Sequence, residues 1–278
     1  MGRLLQWTTT FLTEKQADSP RLDAEVLLAH ILNVPRIALY TRFDEVASDE
    51  TRARYRQLVK QRVEGMPVAY LVGFKEFYNL RFAVTPAVLI PRPETELVVL
   101  EAIRLAKTIT SPRVVDVGTG SGVMAITMAR FVPAANVTAI DLSPDALAVA
   151  QQNAQTLGVA SRIRFLQGDL LAPVAGEMFD LVMSNPPYIP SEVMSSLSES
   201  VKKYEPHLAL DGGPGGLQVI EKLADQALGH LKPGGYLILE IGYDQGKTVP
   251  ALLQKLGYQA VNIQIDHAGH PRIVRAVR

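Results

Sequence analysis

From residue 114 to residue 277 the chain repeats one pattern: a short apolar run, a turn, then a stretch with helical spacing. The runs at 114–117, 137–140, 163–166, 179–183 and 236–240 are rich in β-branched and aromatic residues and read as buried strands. Helices are predicted at 122–131, at 144–157 behind the cap Ser143-Pro144, at 217–230 and at about 246–256. Parallel neighbours need a long crossover, and these helices supply it. Strands at 259–265 and 272–277 complete a set of seven. Only His267-Ala268-Gly269-His270 joins that last pair, which is too short for a crossover, so the pair is antiparallel. The spacing predicts an α/β fold with a doubly wound, mostly parallel seven-stranded sheet. In such sheets ligands bind at the carboxyl ends of the strands.

Upstream, residues 1–67 read as a small helical domain. Ser19-Pro20 opens one helix, and Ser48-Asp49-Glu50 opens another with acidic residues at the end the helix dipole favours. Arg52, Arg54, Arg56, Lys60 and Arg62 form a charged face, read as solvated. Residues 68–92 read as a β linker, with Tyr78-Asn79 turning a hairpin inside the alternating run 77–84. The α/β domain is then 93–278.

The strand ends carry the chemistry. Asp116-Val117-Gly118-Thr119-Gly120-Ser121-Gly122 leaves the first strand as a glycine-rich loop that allows close backbone approach to a ligand. The following helix offers free N–H groups. The loop is Gly-x-Gly-x-Gly and ends without the lysine of a phosphate-gripping P-loop. Asp141, followed by Leu142, ends the second strand about 20 residues on, where a carboxylate suits the hydroxyls of a ribose. Asp169-Leu170 ends the third, with a carboxylate for an adenine amino group and an apolar side chain for its ring. Ser184-Asn185-Pro186-Pro187-Tyr188 ends the fourth. The two prolines stop the strand and stiffen the backbone that carries the Asn185 amide and the Tyr188 ring.

Composition excludes other classes. Lys+Arg and Asp+Glu are each 28, so the chain lacks the basic excess of a protein that grips a long stretch of nucleic acid. There is no Cys, which removes disulfides, thiolate nucleophiles and cysteine zinc sites and fits a reducing cytoplasm. No apolar run nears the ~20 residues of a membrane span, and the first residues lack the pattern of a secretory signal.

Four segments in this order, Phe77 to Phe82, Val88 to Glu96 (Val-Leu-Ile-Pro-Arg-Pro-Glu-Thr-Glu), Asn185 to Tyr188, and Glu205 to Gly213, give the chain its resemblance to the PrmC/HemK family. These are class I S-adenosylmethionine-dependent methyltransferases, the peptide-chain release factor glutamine methyltransferases. Asn79 stands where many relatives have glycine, and Pro214-Gly215 where many have one acidic residue before glycine. The resemblance implies methyl transfer from S-adenosylmethionine to the side-chain amide nitrogen of the glutamine in the Gly-Gly-Gln loop of class-1 release factors. It yields S-adenosylhomocysteine and needs no metal. The helical domain then recognises the protein substrate, in the cytoplasm, with no stable nucleic-acid or membrane partner. Asp116, Gly118, Thr119, Gly120, Ser121, Gly122, Asp141, Leu142, Asp169, Leu170 and Asn185 are expected at the cofactor. Asn185, Pro186, Pro187 and Tyr188 are expected at the substrate, with Asn185, Pro186 and Tyr188 catalytic. The Asn185 side-chain oxygen and the Pro186 carbonyl are suited to accept both N–H hydrogens of an amide, and the Tyr188 ring to pack on its plane. Arg92 and Glu94 are read as an interdomain ion pair, His207 as a bystander, and Gly212, Gly213, Gly215 and Gly216 as a mobile loop. The alternatives are a nucleic-acid adenine N6-methyltransferase, a binding protein without turnover and, from the resemblance, a sister enzyme that methylates glutamine in a ribosomal protein.

Overall fold

The computed structural model describes residues 1–278 and divides into two units, one formed by Met1–Phe74 with Glu199–Tyr204, the other by Lys75–Ser198 with Glu205–Arg278. The smaller unit holds helices α1 (Gly2–Glu14), α2 (Pro20–Leu32), α3 (Ala38–Thr41), α4 (Asp49–Val63) and α5 (Val68–Val72). Leu5, Leu12, Leu27, Leu28, Leu39, Tyr55 and Val59 fill its core. The Tyr55 hydroxyl donates to the Ala24 carbonyl inside it. Ser48 caps α4 by accepting from the Thr51 N–H. Residues 68–72 are helical, not the opening of a β segment: a five-residue apolar run carries no readable period.

The larger unit begins at Lys75 within a hairpin, β1 (Phe74–Phe77) and β2 (Leu80–Ala83), turned by Tyr78 and Asn79. Both turn residues have positive φ, 49° and 58°, as a two-residue hairpin turn demands. Asparagine tolerates that region better than most residues, which accounts for Asn79 in place of glycine. Then follow α6 (Thr95–Ala106), β3 (Arg113–Val117), α7 (Val123–Phe131), β4 (Asn136–Asp141), α8 (Pro144–Thr156), β5 (Ile163–Gln167) and β6 (Phe179–Ser184). After α9 (Glu199–Tyr204), which belongs to the helical unit, come α10 (Gln218–His230), β7 (Leu231–Glu240), α11 (Thr248–Leu256), β8 (Gln259–Ile265) and β9 (Pro271–Val277).

The seven strands lie in the order β5-β4-β3-β6-β7-β9-β8. β3 to β7 pair in parallel, and β9 inserts antiparallel between β7 and β8. Strand side chains alternate between two cores. Val114, Leu181, Met183 and Ile238 pack on one face with α6 and α7. Val115, Val182, Leu237 and Leu239 pack on the other with α10 and α11. The chain steps outward from β3 to β5 and returns on the other side of β3 with β6. Val117 of β3 stands opposite Ser184 of β6, and the Ser184 hydroxyl donates to the Val117 carbonyl at 2.6 Å. Gly118 and Asn185 therefore leave the sheet side by side at the switch point. No helix is long and apolar enough to cross a membrane.

Candidate active site

A cavity of about 420 Å³ opens at the carboxyl ends of β3, β4, β5 and β6. Gly118, Thr119, Gly120, Ser121, Asp141 and Leu142 line one part, Asp169 and Leu170 another, and Asn185 and Pro187 a third. Its size lies in the range of small-molecule sites. Of the residues singled out from sequence, Asp116, Gly122, Pro186 and Tyr188 are not among the lining residues, although Pro186 and Tyr188 adjoin Asn185 and Pro187, which are.

The glycine loop is shaped by hydrogen bonds at both ends. Gly118 and Gly120 have φ of 71° and 54°, a region that disfavours any Cβ, and nothing lies within 4 Å of where their Cβ atoms would be. Space above the loop is thus open to a ligand. Below it, Asp116 is fully buried. Its Oδ2 accepts from the Thr119 hydroxyl (2.7 Å) and the Ala125 N–H (3.0 Å), while its Oδ1 has no partner. Burial pushes this carboxyl up to about 7, against the pull of those two bonds. Asn153 of α8, buried, ties the Ser121 carbonyl to both backbone groups of Ala83. Its amide was not legible as part of the site, because a polar residue on a helix reads as solvated.

Asp141 turns both oxygens toward backbone. Oδ2 accepts from the Gly120 N–H at 2.8 Å and Oδ1 from the Ser143 N–H at 2.9 Å. Each oxygen keeps a lone pair for a further donor. Burial raises this carboxyl too, with the backbone bonds opposing. Asp169 is half-exposed and paired with Lys222 at 3.1 Å. Leu170 beside it holds φ at 51°, a rare conformation for a branched residue.

The Asn185 side chain is anchored. Its Nδ2 donates to Thr95 Oγ1 at 3.1 Å. The Tyr188 hydroxyl donates to Glu240 Oε1 at 3.1 Å. The backbone behind the motif is clamped from the loop at 212–216. Gly212 N–H donates to the Ile189 carbonyl, and a Cβ on Gly212 would lie 2.7 Å from the Pro187 oxygen. Gln245, buried, donates through Nε2 to the Tyr188 and Gly216 carbonyls. Within the glycine-rich segment 212–216, Gly212 and Gly216 pack against the backbone of the motif, where glycine is required for close approach. Arg92 lines the cavity and pairs with Glu205 at 2.6 Å. Both lie in the larger unit, which corrects the interdomain pairing expected from sequence. His207 is not among the lining residues, although its neighbours Pro206 and Leu208 are.

Comparison with known proteins places this geometry. Residues 3–73 match the PrmC N-terminal domain and residues 97–213 the methyltransferase small domain. The release factor glutamine methyltransferase of Rhodopirellula baltica is 43% identical over 279 residues, covering 98% of this chain and 94% of the relative. That of Moorella thermoacetica is 45% identical over 262 residues, covering 94% and 92%. Among solved structures, a methyltransferase from Pyrococcus furiosus superposes with a TM-score of 0.52 at 22% identity, covering 80% of this chain and 97% of that one, a likeness of fold.

Proposed function

The chain belongs to the release factor glutamine methyltransferases, and from that premise we propose that it methylates the side-chain amide nitrogen of the Gly-Gly-Gln glutamine of class-1 release factors. The observation that carries this reading is one continuous cavity lined by the glycine loop at one side and by Asn185 and Pro187 at another. The donor set fits S-adenosylmethionine. Gly118 to Ser121 offer open backbone, Asp141 offers acceptors for ribose hydroxyls, and Leu142 and Leu170 offer apolar contact for a purine. When bound, that cofactor supplies an already activated sulfonium methyl group.

The protein's work is then mostly alignment. An amide nitrogen is a poor nucleophile because its lone pair is delocalised into the carbonyl. Asn185 Oδ1 and the Pro186 carbonyl accept the two N–H hydrogens of the substrate amide. That fixes the amide plane and aims the nitrogen. Tyr188, held through its hydroxyl by Glu240, provides a rigid ring beside it. Such alignment is worth orders of magnitude in rate. The nitrogen becomes acidic as it is alkylated and its surplus proton passes to water, so the site needs no strong base. The reaction belongs to the cytoplasm, where release factors act, and the neutral net charge suits a protein substrate over nucleic acid.

The test is transfer of a labelled methyl group from S-adenosylmethionine to a panel of release factor, ribosomal proteins and DNA. Release factor carrying Gln in its Gly-Gly-Gln loop is expected to be labelled, and the same protein carrying Glu is not. Asn185→Ala is expected to lower single-turnover transfer about 100-fold or more. Labelling of DNA or a ribosomal protein in preference to release factor would refute the assignment.

A further inference from the structure

Asn185 is one end of a chain of polar side chains that begins inside the sheet. Glu240 ends β7 on the same face as Ile238, beneath the first turn of α6, and is 1% exposed. Its Oε2 accepts from Thr95 Oγ1 at 2.6 Å, and its Oε1 accepts from the Tyr188 hydroxyl at 3.1 Å. Thr95 Oγ1 in turn accepts from Asn185 Nδ2. A threonine hydroxyl has one hydrogen to give. With that hydrogen committed to Glu240, Thr95 can only accept from Asn185. The amide must therefore turn Nδ2 toward Thr95, which leaves Oδ1 for the cavity. Without this constraint an asparagine amide can sit either way round, and half-turned it would offer the substrate a donor.

We propose that Thr95 and Glu240 are positioning residues that fix the polarity of the Asn185 amide, so that the site offers an acceptor and selects an N–H substrate over a carboxylate. The proposal rests on the reading of Asn185 as the acceptor for the glutamine amide. The direction of the chain depends on Glu240 being ionised. A proton on its Oε2 lets the carboxyl donate to Thr95, whose own hydrogen then turns to Asn185 and reverses the amide. Burial raises the Glu240 carboxyl to about 7. The groups that face it are Thr95 and Tyr188, whose hydrogen bonds hold it down, Arg272 of β9, which also lowers it, and Glu94 before α6, which raises it.

The experiment uses the full chain with S-adenosylmethionine and release factor, comparing wild type, Thr95→Val and Thr95→Ser. Cofactor affinity is read by calorimetry and methyl transfer by single turnover at saturating cofactor from pH 6 to 8.5. Thr95→Val is expected to slow transfer about 100-fold with cofactor affinity held within about twofold. Thr95→Ser restores the hydroxyl and stays within about threefold of wild type. Wild type and Thr95→Ser lose rate together as the pH falls below about 7, and Thr95→Val does so less. Should Thr95→Val fail to fold, Thr95→Ala carries the same expectation. The proposal is overturned if the variant lacking the hydroxyl transfers at the wild-type rate, if Thr95→Ser is as slow as Thr95→Val, or if rate and cofactor affinity fall in proportion. A wild-type enzyme that leaves release factor unlabelled would instead sink the functional assignment itself.

Discussion

Gly215 and Gly216 are neighbours with similar φ, 62° and 70°. An alanine at either position bears the strain of the left-handed region, roughly 1–2 kcal/mol. Their surroundings differ. Nothing lies within 4 Å of a Cβ on Gly215, whereas a Cβ on Gly216 would sit 2.2 Å from the Tyr188 carbonyl oxygen and 3.0 Å from its carbon. Ordinary contact between carbon and a carbonyl oxygen is about 3.3 Å or more. Tyr188 O must therefore retreat by about 1 Å, away from Gln245 Nε2, which donates to it at 3.2 Å. A 1 Å misplacement of an aligned group costs about 100-fold in rate, close to 2.7 kcal/mol of barrier. Gly216→Ala is expected to transfer methyl about 100-fold more slowly than Gly215→Ala in single turnover. Gly216→Ala should also unfold at a lower denaturant concentration than Gly215→Ala, while both bind S-adenosylmethionine alike. Equal transfer rates in the two would refute the claim that the 212–216 segment sets the motif's position.

Three further outcomes follow from the geometry. Asp141→Ala should weaken S-adenosylmethionine binding by about 1–3 kcal/mol, and unchanged affinity by calorimetry removes Asp141 from the site. The Asp116 carboxyl is raised to about 7 in the folded protein, so the folded state holds a proton that the unfolded state has lost. Its contribution to stability is complete below about pH 4 and is lost as pH rises through 7. Asp116→Asn should therefore gain on wild type, without ligand, by on the order of 3–4 kcal/mol between pH 4 and 8; a gap in urea unfolding that does not change with pH would contradict this. Glu101 accepts from Arg104 and Arg275, and these hold its carboxyl down to about 2. That stability is present above about pH 4.5 and is lost as pH falls through 2. Glu101→Gln should lower Tm near neutrality by several degrees, reflecting about 1–3 kcal/mol, with a gap that narrows as the solution is acidified.

The sheet was legible because strands 114–117 to 272–277 are short, apolar and punctuated by turns, a pattern few folds satisfy. The strand-end residues followed from it, since each lies immediately after a run whose direction was already known. The supports of the site were not legible. Glu240 closes an apolar strand and reads from sequence as a carboxylate reaching solvent, yet it is buried against a helix 145 positions earlier in the chain. Thr95 lay inside a segment marked only by resemblance, with nothing local to assign its hydroxyl a partner. Gln245 and Asn153 escaped for the same reason: a side-chain amide that satisfies distant backbone carbonyls leaves no periodic trace. The insertion of β9 between β7 and β8 depends on which edge the hairpin takes, and pairing partners are not encoded in the spacing alone.

The helical unit is built from two pieces of chain, residues 1–74 and 199–204. In the second piece the Tyr204 hydroxyl donates to the Glu64 carbonyl just past the end of α4. During synthesis the first piece leaves the ribosome early, and the second follows about 125 residues later. At ~5–20 residues per second that is a delay of about 6–25 s, long compared with the folding of most small helical domains. The first five helices thus form around their own core before their last segment exists. The strand that bears the Asn185 motif must then emerge, along with the prolines that follow, before the unit is completed. Vectorial synthesis thus makes the smaller domain wait for most of the larger one to be made before its own chain is complete.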